Sequence, residues 1–161
     1  MITELEQKLN YRFKNQELLR NALTHSSYAN EEHCKFGSNE RLEFLGDSVL
    51  SIIVSEYIYK NFKNLPEGEL TKLRASLVCE KALSGFSREL ELGRFLYLGK
   101  GESHNHGEER PSILADAFEA VLAAIYLDVA YLDDYENGTI PEFKGKFKKR
   151  SAETLWVTRK G

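Results

Sequence analysis

Apolar residues follow a helical pattern along nearly the whole chain, and this pattern constrains the fold more than any other feature. Alternation of the kind that a half-buried strand requires does not extend beyond residues 95–98. We therefore predict an all-α fold with polar loops over 28–37 and 99–111. The predicted helices are a short one opened by a capping box at Thr3–Glu6, one capped by Asn15, a long one over 39–62, and others over 67–79, 80–92 and 112–127, the last capped by Ser112.

Length and composition limit the class of protein. A chain of 161 residues with 42% apolar and 29% charged residues is typical of one globular domain. Two cysteines, Cys34 and Cys79, are too few for a disulfide framework or a four-cysteine zinc site. No apolar run is long enough to span a membrane, and the first residues lack the pattern of a secretory signal. We expect a cytoplasmic protein with reduced thiols.

The formal net charge of −3 hides a strong asymmetry. Residues 144–161 contain seven basic residues and one acidic residue, a local charge of +6, so residues 1–143 carry −9. An acidic body binds polyanions poorly unless something neutralises its carboxylates locally. Any binding of nucleic acid therefore requires such a neutralising group.

One stripe of acids lies on the long predicted helix over 39–62. At about 100° per residue, Glu40, Glu43 and Asp47 fall together, opposite the apolar face. A solvated helix face would explain this arrangement, but the stripe has no lysine partner at i,i+4. Phe44 lies beside the acids and away from the core face. An apolar ring beside unpaired carboxylates favours a surface that binds a partner.

A second pair of acids lies in the predicted helix over 112–127. Asp116 and Glu119 are its only charged residues, with small and apolar residues on all sides. Ion pairs with arginine or lysine are one explanation for them. Alternatively, the two helices bring four carboxylates together into an all-oxygen site suited to Mg²⁺ or Mn²⁺. From this chemistry alone we predict metal-dependent hydrolysis of a phosphoester or a pyrophosphate.

Residues 39–50, NERLEFLGDSVL, resemble the signature segment of the ribonuclease III family. The resemblance extends over residues 4–128, through LTHSSY at 23–28, PEGELTKLRASLV at 66–78 and SILADAFEAVLAAIYLD at 112–128. It implies that four carboxylates hold divalent metal: Glu43, Asp47, Asp116 and Glu119. Of these, Asp47 and Glu119 match the pair usually named as catalytic. It implies further that Glu40 and Glu67 lie near a subunit junction, and that Phe44 inserts into the partner of a homodimer.

The resemblance also implies a function. A member of this family is expected to have an all-α endonuclease domain that forms a two-fold homodimer and binds Mg²⁺, with Mn²⁺ as a substitute and no nucleotide cofactor. It would cleave double-stranded RNA to 5′-phosphate and 3′-hydroxyl ends with a short 3′ overhang, in the processing of ribosomal or messenger RNA. Two alternatives remain open, a non-catalytic RNA-binding scaffold on the same fold and an all-α nucleotide pyrophosphohydrolase. Because all six acids are present, the endoribonuclease is favoured.

We predict a catalytic domain over 1–128 and an atypical basic tail over 129–161. The 33 residues of that tail are too few for the double-stranded-RNA-binding domain of long family members, which we therefore expect to be absent. The tail is either a basic arm that grips RNA through its cations and interleaved aromatic residues, or an aberrant, disordered terminus.

Other polar residues have simpler interpretations. His104 and His106 could bind a metal with nearby glutamates, but a solvated loop is the better interpretation. His25 is interpreted as a hydrogen-bonded structural histidine, and the two cysteines as incidental thiols. Contacts to phosphate remain a hypothesis for three cations, which are Lys72, Arg74 and Lys81.

Overall fold

A computed structural model describes residues 2–136, and this part of the chain is helical, as predicted. An isolated bridge joins Thr24 to Tyr97, and the described residues form no β-sheet. Short 3₁₀ turns span Leu92–Phe95 and Gly107–Glu109. The α-helices are α1 (Ile2–Leu9), α2 (Gln16–Ala22), α3 (Ser26–Glu31), α4 (Glu40–Asn61), α5 (Glu67–Leu77), α6 (Glu80–Glu89), α7 (Lys100–His104) and α8 (Pro111–Glu136).

Helix α8 is the central element of the fold. It packs against α2, α4 and α6 along different faces. Alanine side chains on α8 are completely buried, and their small size allows the neighbouring helices to approach closely. These alanines are Ala117, Ala120, Ala123 and Ala124. Leu5, Leu19 and Leu23 from the N-terminal elements complete the main core around them.

Two buried carboxylates fix the segment that joins α1 to α2. Asp128 of α8 accepts hydrogen bonds from the Tyr11 hydroxyl at 2.7 Å and from the backbone N–H groups of Lys14 and Asn15 at 3.0 and 2.8 Å. Glu6 accepts from the Phe13 N–H at 2.8 Å. A carboxylate with several donors tolerates burial because its lone pairs are occupied. The segment is therefore tied to the last described helix.

The capping box predicted at Thr3–Glu6 is wrong. Helix α1 already includes Ile2, and the Glu6 side chain bonds to Phe13 and to the Gln16 side chain at 2.6 Å. The cap predicted at Asn15 is confirmed, since its side chain accepts from the Glu17 N–H at 3.0 Å.

Two short helices lie within the predicted loops. Helix α3 occupies the start of the predicted loop over 28–37, and α7 lies within the predicted loop over 99–111. Helix α3 begins after an unusual cap, because Nδ1 of His25 accepts from the Ser27 N–H at 3.2 Å. Helix α6 ends at Glu89, before the predicted end at 92.

The boundaries of α8 also differ from the prediction. Pro111 is its first residue, a position where the missing N–H of proline is tolerated, so Ser112 lies inside the helix. At its other end α8 continues to Glu136, beyond the predicted end at 127 and without a break at the predicted domain boundary at 128. The rest of the predicted tail, 137–161, lies outside the described residues. None of the helices between residues 2 and 136 is both long enough and apolar enough to cross a lipid bilayer.

Candidate active site

The site is created by the close crossing of α4 and α8. Gly46 of α4 is buried, and a Cβ atom placed on it would lie 1.9 Å from the carbonyl oxygen of Glu119. Only glycine permits the two backbones to approach this closely. Because Glu43 and Asp47 flank Gly46 on α4, the crossing brings acids of both helices to the same place.

Three of the four predicted metal-binding carboxylates converge. Glu43, Asp116 and Glu119 each offer an oxygen atom, and these atoms all lie within 4.8 Å of one another. All three side chains are partly buried. Asp47 is exposed and lies outside this group, which we call the carboxylate cluster.

Crowding and burial make the cluster reluctant to ionise. Burial raises the pKa of Glu119 to about 7, with further contributions from the charges of Asp47, Glu43 and Asp116. Burial, followed by neighbouring acids, also raises the pKa of Glu43. These shifts indicate negative charges held together without a compensating cation.

Lysine and arginine side chains between residues 2 and 136 form several ion pairs, and those identified join other acids, such as Glu69, Glu91 and Glu102, and not the cluster. This part of the chain therefore gives no support to the explanation that Asp116 and Glu119 are paired with basic side chains. Unpaired carboxylate oxygens at this spacing are the donors that a hard divalent cation such as Mg²⁺ or Mn²⁺ prefers, with water completing its shell. The residues present thus fit a divalent metal, and Asp47 lies close enough for its charge to raise the pKa of two cluster members.

The predicted junction residues lie outside the cluster. Glu40 is exposed and accepts from the Ser38 hydroxyl at 2.7 Å, while its charge raises the pKa of Glu43. Glu67 begins α5 and accepts from the Thr71 hydroxyl at 2.9 Å. Phe44 is 79% exposed.

Phe44 is one of several large apolar side chains that α4 exposes. Helix α5 buries none of its residues, and α4 exposes large apolar side chains along its length. Besides Phe44 these are Ile52, Tyr57 and Tyr59. Several large apolar side chains exposed on one helix are typical of a protein interface.

Two residues near the cluster were not predicted to influence it, the acid Glu80 and the histidine His25. After burial, Glu80 at the start of α6 is the largest influence raising the pKa of Asp116. His25 lowers that pKa by its charge, in addition to capping α3 as a hydrogen-bonded structural residue. Neither residue lies on the helical stripes of α4 and α8, so periodicity on those helices could not identify them.

The remaining candidates show no comparable convergence. Among the described residues, His104 and His106 belong to no group of possible metal ligands, and Nδ1 of His106 lies 3.6 Å from Glu108. Lys72 is paired with Glu69 at 2.9 Å. Arg74 donates to the Ser55 hydroxyl at 3.0 Å.

Comparisons with known proteins agree on one family. A sequence model of the Ribonuclease-III-like family matches residues 15–133. Proteins named Ribonuclease 3 are 61% identical over 128 residues in Caldanaerobacter subterraneus subsp. tengcongensis and 56% identical over 131 residues in Oceanobacillus iheyensis. These matches cover 80% and 81% of this chain and 56% and 58% of those proteins, so the chain spans just over half the length of these curated relatives.

A solved structure supports the same assignment. The nuclease domain of ribonuclease III from Campylobacter jejuni superposes with a TM-score of 0.75 at 46% identity, covering 83% of this chain and 90% of that domain. That domain has a region involved in dimer formation that shows structural flexibility.

Proposed function

The chain belongs to the ribonuclease III family, and on that premise we propose that it is a metal-dependent endoribonuclease for double-stranded RNA. The observation that carries the proposal is the convergence of Glu43, Asp116 and Glu119, without basic partners, at the crossing of α4 and α8. A site of this kind offers phosphoester hydrolysis a place for a divalent cation.

We assign the metal to Glu43, Asp47, Asp116 and Glu119, with Mg²⁺ as the natural ion and Mn²⁺ as its substitute. When bound, the ion would lower the pKa of a water molecule and stabilise the leaving 3′ oxygen. Products would carry a 5′-phosphate and a 3′-hydroxyl. No nucleotide cofactor enters the proposal.

Each acid has a distinct task in this proposal. Burial and acidic neighbours raise the pKa of Glu119 to about 7, so a part of the molecules must release a proton there before Glu119 becomes a ligand. Glu43 from α4 and Asp116 from α8 each offer a carboxylate oxygen to the metal. Asp47 joins Glu119 as the catalytic pair, from the exposed edge of the cluster.

A homodimer is the proposed active form. The exposed ring of Phe44 and the other exposed apolar side chains of α4 support an interface there, with Glu40 and Glu67 near the junction of two subunits. Two cleavage sites related by a two-fold axis would cut opposite strands and leave a short 3′ overhang. The duplex would be recognised mostly by its A-form shape, its 2′-hydroxyl groups and its phosphates. We propose a cytoplasmic role in processing ribosomal or messenger RNA.

The two alternatives have less support. A non-catalytic scaffold on this fold would tolerate loss of the acids, yet all six are present. A nucleotide pyrophosphohydrolase gains nothing from the comparisons, which match nuclease domains.

A cleavage assay tests the proposed function. Long duplex RNA is incubated at low salt with Mg²⁺ or with EDTA, and the unmodified chain is compared with the double variant Asp47→Asn, Glu119→Gln. A second double variant, Glu17→Gln, Glu89→Gln, removes two exposed acids outside the cluster as the matched control. We expect staggered cutting by the unmodified chain and the control only, and only with metal.

Other outcomes would select an alternative. Duplex binding without cutting would support the scaffold, and hydrolysis of nucleoside triphosphates instead of RNA would support the pyrophosphohydrolase.

A further inference from the structure

A cavity of about 300 Å³ lies between α2, α3 and the loop over 34–37, away from the carboxylate cluster. We call it the α2–α3 pocket. Its volume is at the lower end of the range for sites that bind small molecules. The lining includes Arg20, Tyr28, Cys34, Lys35, Phe36 and Tyr97.

Hydrogen bonds hold the walls of the α2–α3 pocket in place. The two N–H bonds of the Asn21 side-chain amide are shared among three successive carbonyl groups, those of Phe36 at 3.2 Å, Gly37 at 3.3 Å and Ser38 at 3.1 Å. On the other side, the Tyr97 N–H donates to the Leu23 carbonyl at 2.9 Å. The pocket is thus formed before any ligand arrives, which lowers the entropic cost of binding.

The charge of the pocket is opposite to that of the protein around it. No carboxylate lines it, although acids outnumber bases in the whole chain by 25 to 22. The cations Arg20 and Lys35 are exposed, and the side chain of neither forms an ion pair or hydrogen bond with another described residue. Two unpaired cations beside a cavity favour an anionic ligand.

The same pocket presents aromatic surface and unused hydroxyl groups. The rings of Tyr28 and Tyr97 lie 5.4 Å apart, and neither hydroxyl has a hydrogen-bond partner within residues 2–136. Phe36 is 57% exposed. A planar ligand with polar edges fits such a surface, because nucleobases stack on aromatic rings and hydrogen-bond through their edges.

We propose that the α2–α3 pocket binds one unpaired nucleotide of an RNA strand, with its phosphate at Arg20 and Lys35 and its base against the aromatic side chains. The pocket is connected to the carboxylate cluster through the backbone: Asn39, which precedes α4, donates its N–H to the Thr24 carbonyl at 2.8 Å. Single-stranded RNA that flanks a duplex would thus be held on the same subunit as the cleavage site, by a pocket whose wall is bonded to the start of α4. The inference rests on the proposed function for naming RNA as the ligand.

The two cysteines make the pocket directly measurable. Cys34 lines the pocket and is partly buried, whereas Cys79 is exposed at the start of α6. We would measure alkylation of each thiol in the full chain with EDTA present, with and without a short oligouridylate. Without metal the carboxylate cluster repels RNA, so binding at the pocket is measured by itself. We expect the oligouridylate to slow alkylation of Cys34 by roughly tenfold while Cys79 reacts unchanged.

Variants test whether the two cations provide the affinity. The double variant Arg20→Gln, Lys35→Gln should weaken oligouridylate binding by roughly tenfold or more, since each charge-assisted contact to phosphate is lost. The double variant Arg12→Gln, Lys63→Gln removes the same charges from exposed positions outside the pocket and should retain protection of Cys34. A blunt-ended RNA duplex should protect Cys34 less than the oligouridylate does.

Three results would overturn the inference: a Cys34 thiol that is unreactive in the free protein, protection that survives in Arg20→Gln, Lys35→Gln, or no protection at all. Duplex cleavage by the same preparation with Mg²⁺ separates the two proposals. Cleavage without protection of Cys34 contradicts the pocket alone. Protection without cleavage contradicts the proposed nuclease alone.

Discussion

The α-carbon of Gly46 lies so close to the backbone of Glu119 that an added Cβ atom would be 1.9 Å from the Glu119 carbonyl oxygen. A side chain could rotate away from such an overlap, but a helical carbonyl cannot. The spacing of α4 and α8, and with it the geometry of the carboxylate cluster, therefore depends on the absence of a single methyl group.

Replacement of Gly46 by alanine is expected to lower the free energy of unfolding by about 3 kcal/mol, because the helices must separate to admit the methyl group. Urea denaturation measures this effect. Gly85 of α6 is the matched control, since a Cβ atom there meets nothing within 4 Å. Gly85→Ala should stabilise the protein by about 0.5–1 kcal/mol. Equal effects of the two substitutions would contradict the close-crossing explanation.

The stability of the metal-free protein should fall as pH rises from about 4.5 to about 7. Over this interval Glu119 keeps its proton in the folded protein, where its pKa is about 7, but loses it in the unfolded chain, where the ordinary value is 4.5. The folded state binds more protons, so raising the pH favours unfolding. Thermal unfolding across this pH range measures the slope, and Glu119→Gln should reduce it. An identical slope in the variant would exclude Glu119 as its source.

Removal of the Asp47 charge should lower the pKa of Glu119. After burial, Asp47 is the largest influence that raises this pKa. Titration of the Glu119 carboxyl by NMR in Asp47→Asn measures the change. The control Glu89→Gln removes an exposed charge at the end of α6 and should leave the titration unaltered. If Asp47→Asn leaves the pKa of Glu119 unchanged, Asp47 lies too far from Glu119 for the two to act as a pair.

Truncation of Phe44 should weaken the proposed dimer. Each buried phenylalanine contributes about 1.5–3 kcal/mol, and a two-fold interface loses two of them. Phe44→Ala should therefore raise the dimer dissociation constant roughly a hundredfold or more. Sedimentation velocity measures the shift, while circular dichroism verifies that the subunit stays folded. Phe86→Ala removes a ring that is also exposed, but on α6, and should leave dimerisation intact. An unchanged dimer dissociation constant for Phe44→Ala would show that the interface does not include this ring.

Replacement of Asp128 by asparagine should destabilise the fold by about 3 kcal/mol. The carboxylate is fully buried and accepts from Tyr11, Lys14 and Asn15, whereas an amide would turn an NH₂ group toward at least one of these donors. Chemical denaturation measures the loss. Glu89→Gln, at an exposed position, should change stability by less than about 0.5 kcal/mol. A similarly small effect of Asp128→Asn would show that the buried hydrogen bonds contribute little.

Strong apolar periodicity made the long helices recognisable in the sequence: α4 begins and ends within a residue of its predicted boundaries, whereas α8 continues nine residues beyond its predicted end. Helix α3 was missed because its six residues are mostly polar and its cap is a histidine. Helix α7 was missed because glycine residues surround it. Short helices like these depend on tertiary contacts, which no local pattern records.

The acids of the site were predictable from periodicity and family resemblance, but their arrangement was not. Their convergence depends on the close approach of α4 and α8 at Gly46 and Glu119. These two residues lie far apart in the sequence. The same reasoning accounts for Glu80, which acts on Asp116 from a third helix. The Thr3–Glu6 error has a similar cause, because Glu6 bonds to a segment that sequence periodicity could not place beside it.

Helix α8 is the central helix of the fold and also the last of the described helices to be synthesised. While a ribosome makes this protein, α2, α4 and α6 emerge before the helix that fills the space between them, so their packing waits for α8. Glu43 then has neither Asp116 nor Glu119 beside it. Assembly of the carboxylate cluster must therefore wait until Asp116 and Glu119 have been synthesised, and a growing chain that ends before α8 carries no complete cluster while it is held next to ribosomal RNA.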